Sequence, residues 1–361
     1  MIGDIHRSMF LKGTCKGQKG RGNAEDILAR ARQLDKEKKY AEAFALYKQA
    51  ADLGSAEAAW CTAIDYYNGE GTDRDMVKFA RYLIMAAEGG ETQAYSRAGM
   101  AYRFGKGVES DDAKAYRYYA KAAEAGDTRA YVPLGEFCEH GWGVEKDEAK
   151  AFGFYCKGVE AGVAEACWHA AYCYKSGSGV ERNWQKAFAL YRLGAEAGDA
   201  YACENLARCY LYGDNESMEH EEWRAWYRDK ENIEKGIYWL KKAIEYFSKE
   251  REAGNPYTLM GSLYYEMAFA LDRLERYDEA LECVEKMMAE HSSCDDTDYY
   301  AKAQILHHAG RYNEALTWAK KAKDAGAKDA DKLIEEIREA TAKTGGTESA
   351  PANPDEAKRS V

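Results

Sequence analysis

The sequence predicts an all-α solenoid of helix-turn-helix units, and three observations carry that prediction. The 361-residue chain has only four prolines (Pro133, Pro256, Pro351, Pro354), which leaves long stretches free of helix breakers. Ala, Glu, Lys and Leu, all good helix formers, dominate those stretches. The 32 glycines then fall on a fixed period. Gly54, Gly90, Gly126, Gly162 and Gly198 stand 36 residues apart, as do the pairs Gly69/Gly71, Gly105/Gly107, Gly141/Gly143 and Gly177/Gly179, and Gly213 opens a fifth pair that is never completed. A period of this length marks a stacked array in which each unit buries its apolar face against its neighbours.

The elements follow in order. Residues 1–22 carry Arg7, Lys12, Lys16, Lys19 and Arg21 against Asp4 and are expected to be a disordered basic tail, leaving about −15 of the formal −11 on the rest. A half-unit is expected over 23–54, then regular repeats over 55–198. In Asp127 to Gly162, for example, an apolar-periodic stretch precedes the Gly-x-Gly-Val turn and a second one follows it, so each repeat is a helical hairpin. The glycine closing the second helix suits a left-handed C-cap, and Ser55, Asp127 or Asp199 just after it can cap the next helix. Small residues six positions before the first turn glycine (Ala63, Gly99, Gly135, Ala171, Ala207) let helices approach closely. Pro133 falls where a first helix should be under way, which predicts a late start or a kink there.

The fifth repeat spans 199–254, because the next equivalent glycine after Gly198 is Gly254, 56 residues on. The surplus is an acidic insert, 214–234, carrying Trp223, Trp226 and Tyr227. Either it lengthens a helix and folds its aromatics back on the array, or Trp223 and Trp226 contact a partner. Beyond Pro256 the paired glycines stop. Leu274-Glu-Arg-Tyr-Asp-Glu-Ala-Leu281 and Gly310-Arg-Tyr-Asn-Glu-Ala-Leu316 share a different pattern at a 35-residue offset, so 255–343 is expected to hold two further hairpins and a terminal covering helix from Asp329 to Ala342. The end, 344–361, is expected to be disordered.

Tyr102-Arg-Phe-Gly-Lys-Gly-Val108, Asp112-Ala-Lys-Ala-Tyr116 and Tyr119-Ala-Lys-Ala-Ala-Glu-Ala-Gly126 together resemble the Sel-one-like repeat, and the resemblance covers residues 55–213 as regular units. The later pattern is similar to tetratricopeptide repeats at Tyr277 and Tyr312, Ala280 and Ala315, and Met287 and Ala322, without that family's early Trp and late Pro. Tyr40, Ala43, Tyr47 and Ala50 of the half-unit fit the same scheme. Both resemblances imply helix pairs stacked into a continuous right-handed superhelix.

Cysteine-rich Sel-one-like proteins carry one disulfide per repeat. Here Cys167 and Cys203 occupy the second bridge position, but Val159 and Ala195 stand at the first, so no such bridges are expected. With no CxxC and no Cys/His cluster at ligand spacing, no zinc or other metal is expected, and no cofactor; buried thiols are the expectation. The family also has members described as β-lactamase-like, but the Ser-x-x-Lys pair does not occur in this chain, and Lys343-Thr344-Gly345 lies without partners in the tail. No Gly-x-Ser-x-Gly elbow, HExxH helix or Walker loop appears, and the seven histidines pair no base with a nucleophile, so catalysis is not expected. The negative charge of the folded part disfavours nucleic acid. No apolar run reaches membrane-spanning length and no secretory signal opens the chain, so no membrane insertion and a cytoplasmic address are expected.

What remains is binding by surface. By analogy with tetratricopeptide arrays, the first helix of each pair lines a concave groove. Counting from the small packing residue names Trp60, Ile64, Tyr67 and Asn68, then Met100, Arg103 and Phe104, then Glu136, Glu139 and His140. Trp168, Tyr172, Lys175 and Ser176 follow, then Arg208, Leu211 and Tyr212, then Tyr265, Asp272 and Arg273, and last Gln304, His307 and His308. Tyr, Trp and Arg combine large contact area with a polar handle and carry binding energy disproportionately, although any one aromatic on a solenoid helix is more often packing than anchor. The expected function is a non-catalytic scaffold or adaptor for a protein or peptide partner. The alternatives are a secreted or host-interacting effector repeat protein and a β-lactamase-like hydrolase.

Overall fold

The computed structural model describes residues 21–214, 218–254, 260–291 and 294–343. The tails expected at 1–22 and 344–361 lie outside them, apart from Arg21 and Gly22, which open the first helix. The described residues hold eighteen α-helices and no strand, so the all-α repeat solenoid expected from the glycine period is the fold. The chain divides into two compact units, with the boundary between Ala197 and Gly198, one repeat before the change of motif at Pro256.

Residues 21–197 form five hairpins: α1 (Arg21–Lys36) with α2 (Tyr40–Asp52), α3 (Ala56–Asn68) with α4 (Met76–Glu88), α5 (Thr92–Phe104) with α6 (Asp112–Glu124), α7 (Tyr131–His140) with α8 (Glu148–Glu160), and α9 (Ala164–Ser176) with α10 (Trp184–Glu196). The expected half-unit is thus a complete pair, because α1 supplies its first helix. Three local devices repeat. Ser55 and Asp127 accept hydrogen bonds from the amides of Ala58 and Arg129, satisfying donors that a helix start leaves over. The second helices are capped on the same period by Asp75, Asp111, Asp147 and Asn183, each accepting from a backbone amide of its first turn. Each of those four residues also donates its own amide to the first helix of its hairpin, at Tyr66, Tyr102, Cys138 and Tyr174, which closes the turn.

The paired glycines do two different jobs. Gly105 ends α5 in the left-handed region at φ 62°, which costs a residue with a Cβ about 1 kcal/mol or more. Gly107, at φ 76°, lies so close to the preceding hairpin that a Cβ would collide with the Met76 carbonyl at the start of α4. The small residues of the first helices face large buried ones on the second. A Cβ on Gly135 would strike the Tyr155 ring, and Tyr47, Leu83, Tyr119, Tyr155 and Tyr191, again 36 apart, form the buried spine of the unit. At Pro133 the helix does start late: a 3₁₀ turn over Thr128–Ala130 leads into α7, and Pro133 becomes its third residue, where the missing N–H costs nothing.

Residues 198–343 pair α11 (Ala200–Tyr212) with α13 (Lys230–Glu252), α14 (Met260–Arg273) with α15 (Tyr277–Glu290), and α16 (Asp296–His308) with α17 (Tyr312–Ala325); α18 (Ala330–Lys343) covers α17 with Ala330, Leu333, Ile334 and Ile337. The insert is a short helix, α12 (His220–Arg228), followed by an N-terminal extension of α13, which at 23 residues is ten longer than α10.

Candidate functional site

In residues 21–197 the face of the first helices is built around paired cations. The Arg103 Nη1 donates to Glu136 Oε2 at 2.6 Å, linking α5 to α7, and its guanidinium lies 4.8 Å from the Trp142 ring centre and 5.2 Å from Phe104. His140 packs on the other part of this cluster, 4.4 Å from Trp142. Glu139 accepts the Tyr155 hydroxyl at 2.6 Å, and burial followed by that hydrogen bond pushes the phenol's pKa upward. On α9, Trp168 stacks on His169 at 3.7 Å, and Tyr155 stacks on the same imidazole at 4.6 Å. Burial, with His140 adding repulsion, pushes His169 down to about 3, so it is neutral at physiological pH.

Placement separates the expected residues into two groups. Met100, Phe104 and Tyr172 are exposed, Phe104 at 58%, as are Asn68, Lys175 and Ser176. Trp60 and Ile64, expected to line the groove, are buried instead, and the Arg97 guanidinium covers Trp60 at 4.8 Å from its ring centre. Tyr67 is half-buried between Phe79 and Arg74. Two residues that the count from the small packing position missed belong to this face, Arg97 and Trp142. Trp142 stands between the turn glycines, where the other repeats have Glu70, Lys106 and Ser178, so the departure from the repeat was visible.

In residues 198–343 the structure gathers Arg208, Tyr212 and Arg273 with the insert. Arg208 bridges Glu204 on its own helix at 2.8 Å and Glu266 on α14 at 2.7 Å. Tyr212 keeps 39% of its surface exposed, while burial of its hydroxyl and the nearby Glu266 push its pKa up to about 12. Arg273 donates to the Leu211 and Tyr227 carbonyls and lies 3.7 Å from the Tyr227 ring centre. The Trp223 indole donates to the Tyr212 carbonyl at 2.8 Å, and that of Trp226 donates to Tyr210 at 3.0 Å and to Cys209 at 3.3 Å. The Tyr210 and Tyr212 carbonyls are ones that a helix end leaves without intrahelical donors, whereas that of Cys209 also accepts the Gly213 amide. The insert therefore folds its aromatics back on α11, and Trp223 and Trp226 act as its C-terminal cap. Leu211, also expected on the groove, is fully buried.

Further along, Tyr265 is exposed beside Phe269. His308 pairs with Asp272 at 2.8 Å, and that hydrogen bond raises its pKa. His307 is half-buried against Tyr312, and burial lowers its pKa. Gln304 is half-buried. Among the described residues no group of three His, Cys, Asp or Glu side chains is arranged to hold a metal, and no helix is long and apolar enough to cross a membrane. The buried thiols Cys173 and Cys283 are pushed by burial up to about 12 and about 11, which leaves them protonated and unreactive as nucleophiles.

The Sel1 repeat model matches residues 28–55, 56–91, 92–127, 129–163, 164–199, 200–219 and 226–245, with residues 220–225 of α12 falling between the last two. None of the curated proteins matches the chain. Among solved structures, a protective antigen of uropathogenic Escherichia coli with an SLR fold is 23% identical, with a TM-score of 0.56 over 88% of this chain and 72% of that one. A Sel1 repeat protein from Oxalobacter formigenes is 22% identical, with a TM-score of 0.55 over 73% of this chain and 96% of that one. These two likenesses bear on the fold, and the repeat matches, which follow the 36-residue glycine period across more than half of the sequence, settle the family: the chain belongs to the Sel1 repeat family.

Proposed function

We propose that the chain is a non-catalytic interaction scaffold that takes a peptide or a partner helix on the face of its first helices. One observation carries the reading. In residues 21–197 Met100 and Phe104 on α5 and Tyr172 on α9, and in residues 198–343 Tyr212 on α11 and Tyr265 on α14, are large, apolar and exposed, each at a position counted from the sequence to the first-helix face of its own unit. Leaving such groups in water forfeits roughly 25 cal/mol for each Å² that a partner would cover. Within each unit an ion pair links two first helices, Arg103 with Glu136 in one and Arg208 with Glu266 in the other, and leaves the aromatics available.

The test compares capture of partners from the native host's lysate by three forms of the chain. Phe104→Ala with Tyr172→Ala removes two of the exposed groups, and Val77→Ala with Leu193→Ala removes two equally exposed groups on second helices. Partners are expected to be lost with the first pair and kept with the second. The opposite pattern, or equal recovery by all three forms, would move binding off this face.

A further inference from the structure

We infer that Arg97, whose guanidinium lies over the Trp60 ring, is a recognition point for a carboxylate carried by the bound peptide, which names the partner chemistry of the face proposed above and rests on that proposal. Other arginines that link first helices have acceptors within the chain: Arg32 has Glu57, Arg103 has Glu136, Arg208 has Glu204 and Glu266, and Arg273 has the Leu211 and Tyr227 carbonyls. Arg97 has none. Its guanidinium is partly buried and lies over the Trp60 ring at 4.8 Å, and its donors meet no carboxylate or carbonyl among the described residues. Asp127, the acid whose charge favours the Arg97 cation, is already committed: it accepts both Arg129 Nε at 2.8 Å and Arg129 Nη2 at 3.0 Å, together with the Ser96 hydroxyl at 2.7 Å. Burial and the neighbouring Arg129 both act against the Arg97 charge.

A partly buried guanidinium without a counterion is an unfavourable arrangement for the protein alone, and it becomes favourable when an anion arrives from outside. The repeat does not require it. Positions 61, 133, 169 and 205, at the same register, are Cys, Pro, His and Asn, so a basic residue is particular to this repeat. The charge count selects the ligand. Arg129 is neutralised by Asp127, which leaves one uncompensated positive charge, matched by one carboxylate rather than by a dianionic phosphate. Met100 and Phe104, three and seven residues further along α5 and both exposed, continue the same helix face. The ligand is therefore an extended or helical peptide segment with an Asp or Glu, or a terminal carboxylate, followed by apolar side chains.

The experiment selects peptides from two random twelve-residue display libraries on the immobilised full chain, one library fused through the peptide C-terminus and one presenting it free. Recovery of peptides with a fixed acidic side chain, or a terminal carboxylate in the second library alone, is expected. The best binder should weaken about tenfold or more on Arg97→Gln. Selection on Arg97→Glu should replace the acid with Lys or Arg. Thermal melting of Arg97→Gln should be unchanged or higher, because removing an unpaired, partly buried charge relieves a desolvation cost. Peptides that lack an acid, or whose acid preference survives Arg97→Gln, would overturn the carboxylate assignment and leave the binding face standing. Failure of both libraries to yield any binder would overturn both.

Discussion

The turn of a regular hairpin in residues 37–197 and the turn between α11 and α13 solve the same problem by opposite means. In the regular repeats two glycines make the turn so tight that the second lies against the preceding helix pair, and no side chain is needed to close it. After Gly213 the second glycine is missing, the chain leaves at φ 62° and ψ −160°, and the open carbonyls of α11 are met by indole N–H groups from Trp223 and Trp226. Backbone permissiveness in one region is replaced by aromatic side chains in the other. The first solution depends on the absence of atoms, the second on large groups supplied by the insert.

The largest effect should come from filling the tight turn. Gly107→Ala puts a Cβ into the Met76 carbonyl at a positive φ, and we expect a loss of about 4 kcal/mol in denaturant unfolding. Gly126→Ala is its control: φ is 89° but nothing lies within 4 Å, so about 1 kcal/mol should be lost. Equal losses would show that close approach contributes nothing to the turn. Next, Trp226→Ala should cost about 3 kcal/mol and speed amide exchange at the end of α11. Unchanged exchange there would mean that the indoles do not hold the helix end.

The smallest effect compares two helix caps 72 residues apart in the sequence. Asp127 is partly buried, but Arg129 and Ser96 hold its pKa below the ordinary value. Asp199 accepts the Ala202 amide at 2.6 Å without a cation, and burial, with Glu250 adding repulsion, raises its pKa to about 6. A carboxyl whose folded pKa is raised contributes stability that is full below its unfolded value near 4 and lost as pH rises through 6. Asp199→Asn keeps the cap. We expect it to flatten the pH 4 to 6 part of the stability curve and to gain roughly 2 kcal/mol at pH 7. An unchanged slope would exclude Asp199 as its source.

Much of this was legible. The 36-residue period placed the hairpins, the Gly99 and Gly135 contacts, the caps at Ser55, Asp127 and Asp199 and the late start at Pro133. The caps at Asp75, Asp111, Asp147 and Asn183 lay on the same period and needed only to be counted. Five of the groups named by counting along α5, α9, α11 and α14 were exposed in the structure. Trp60, Ile64 and Leu211 were not, because helical periodicity says which way a side chain points from its own helix and nothing about what the neighbouring helix lays over it.

The sequence by itself determined the class of fold, the repeat length and the positions of the turns, since each depends on local conformation: left-handed φ at glycine, short polar caps and small residues where helices touch. Only the tertiary structure decided that Arg97 covers Trp60 and has no counterion, that Asp127 is already held by Arg129, and that Trp223 and Trp226 turn inward to cap α11. Those outcomes depend on distances between side chains tens of residues apart. Long-range Coulomb and hydrogen-bond partners are chosen by the packing of one helix on the next, and a periodicity within single helices does not contain that choice.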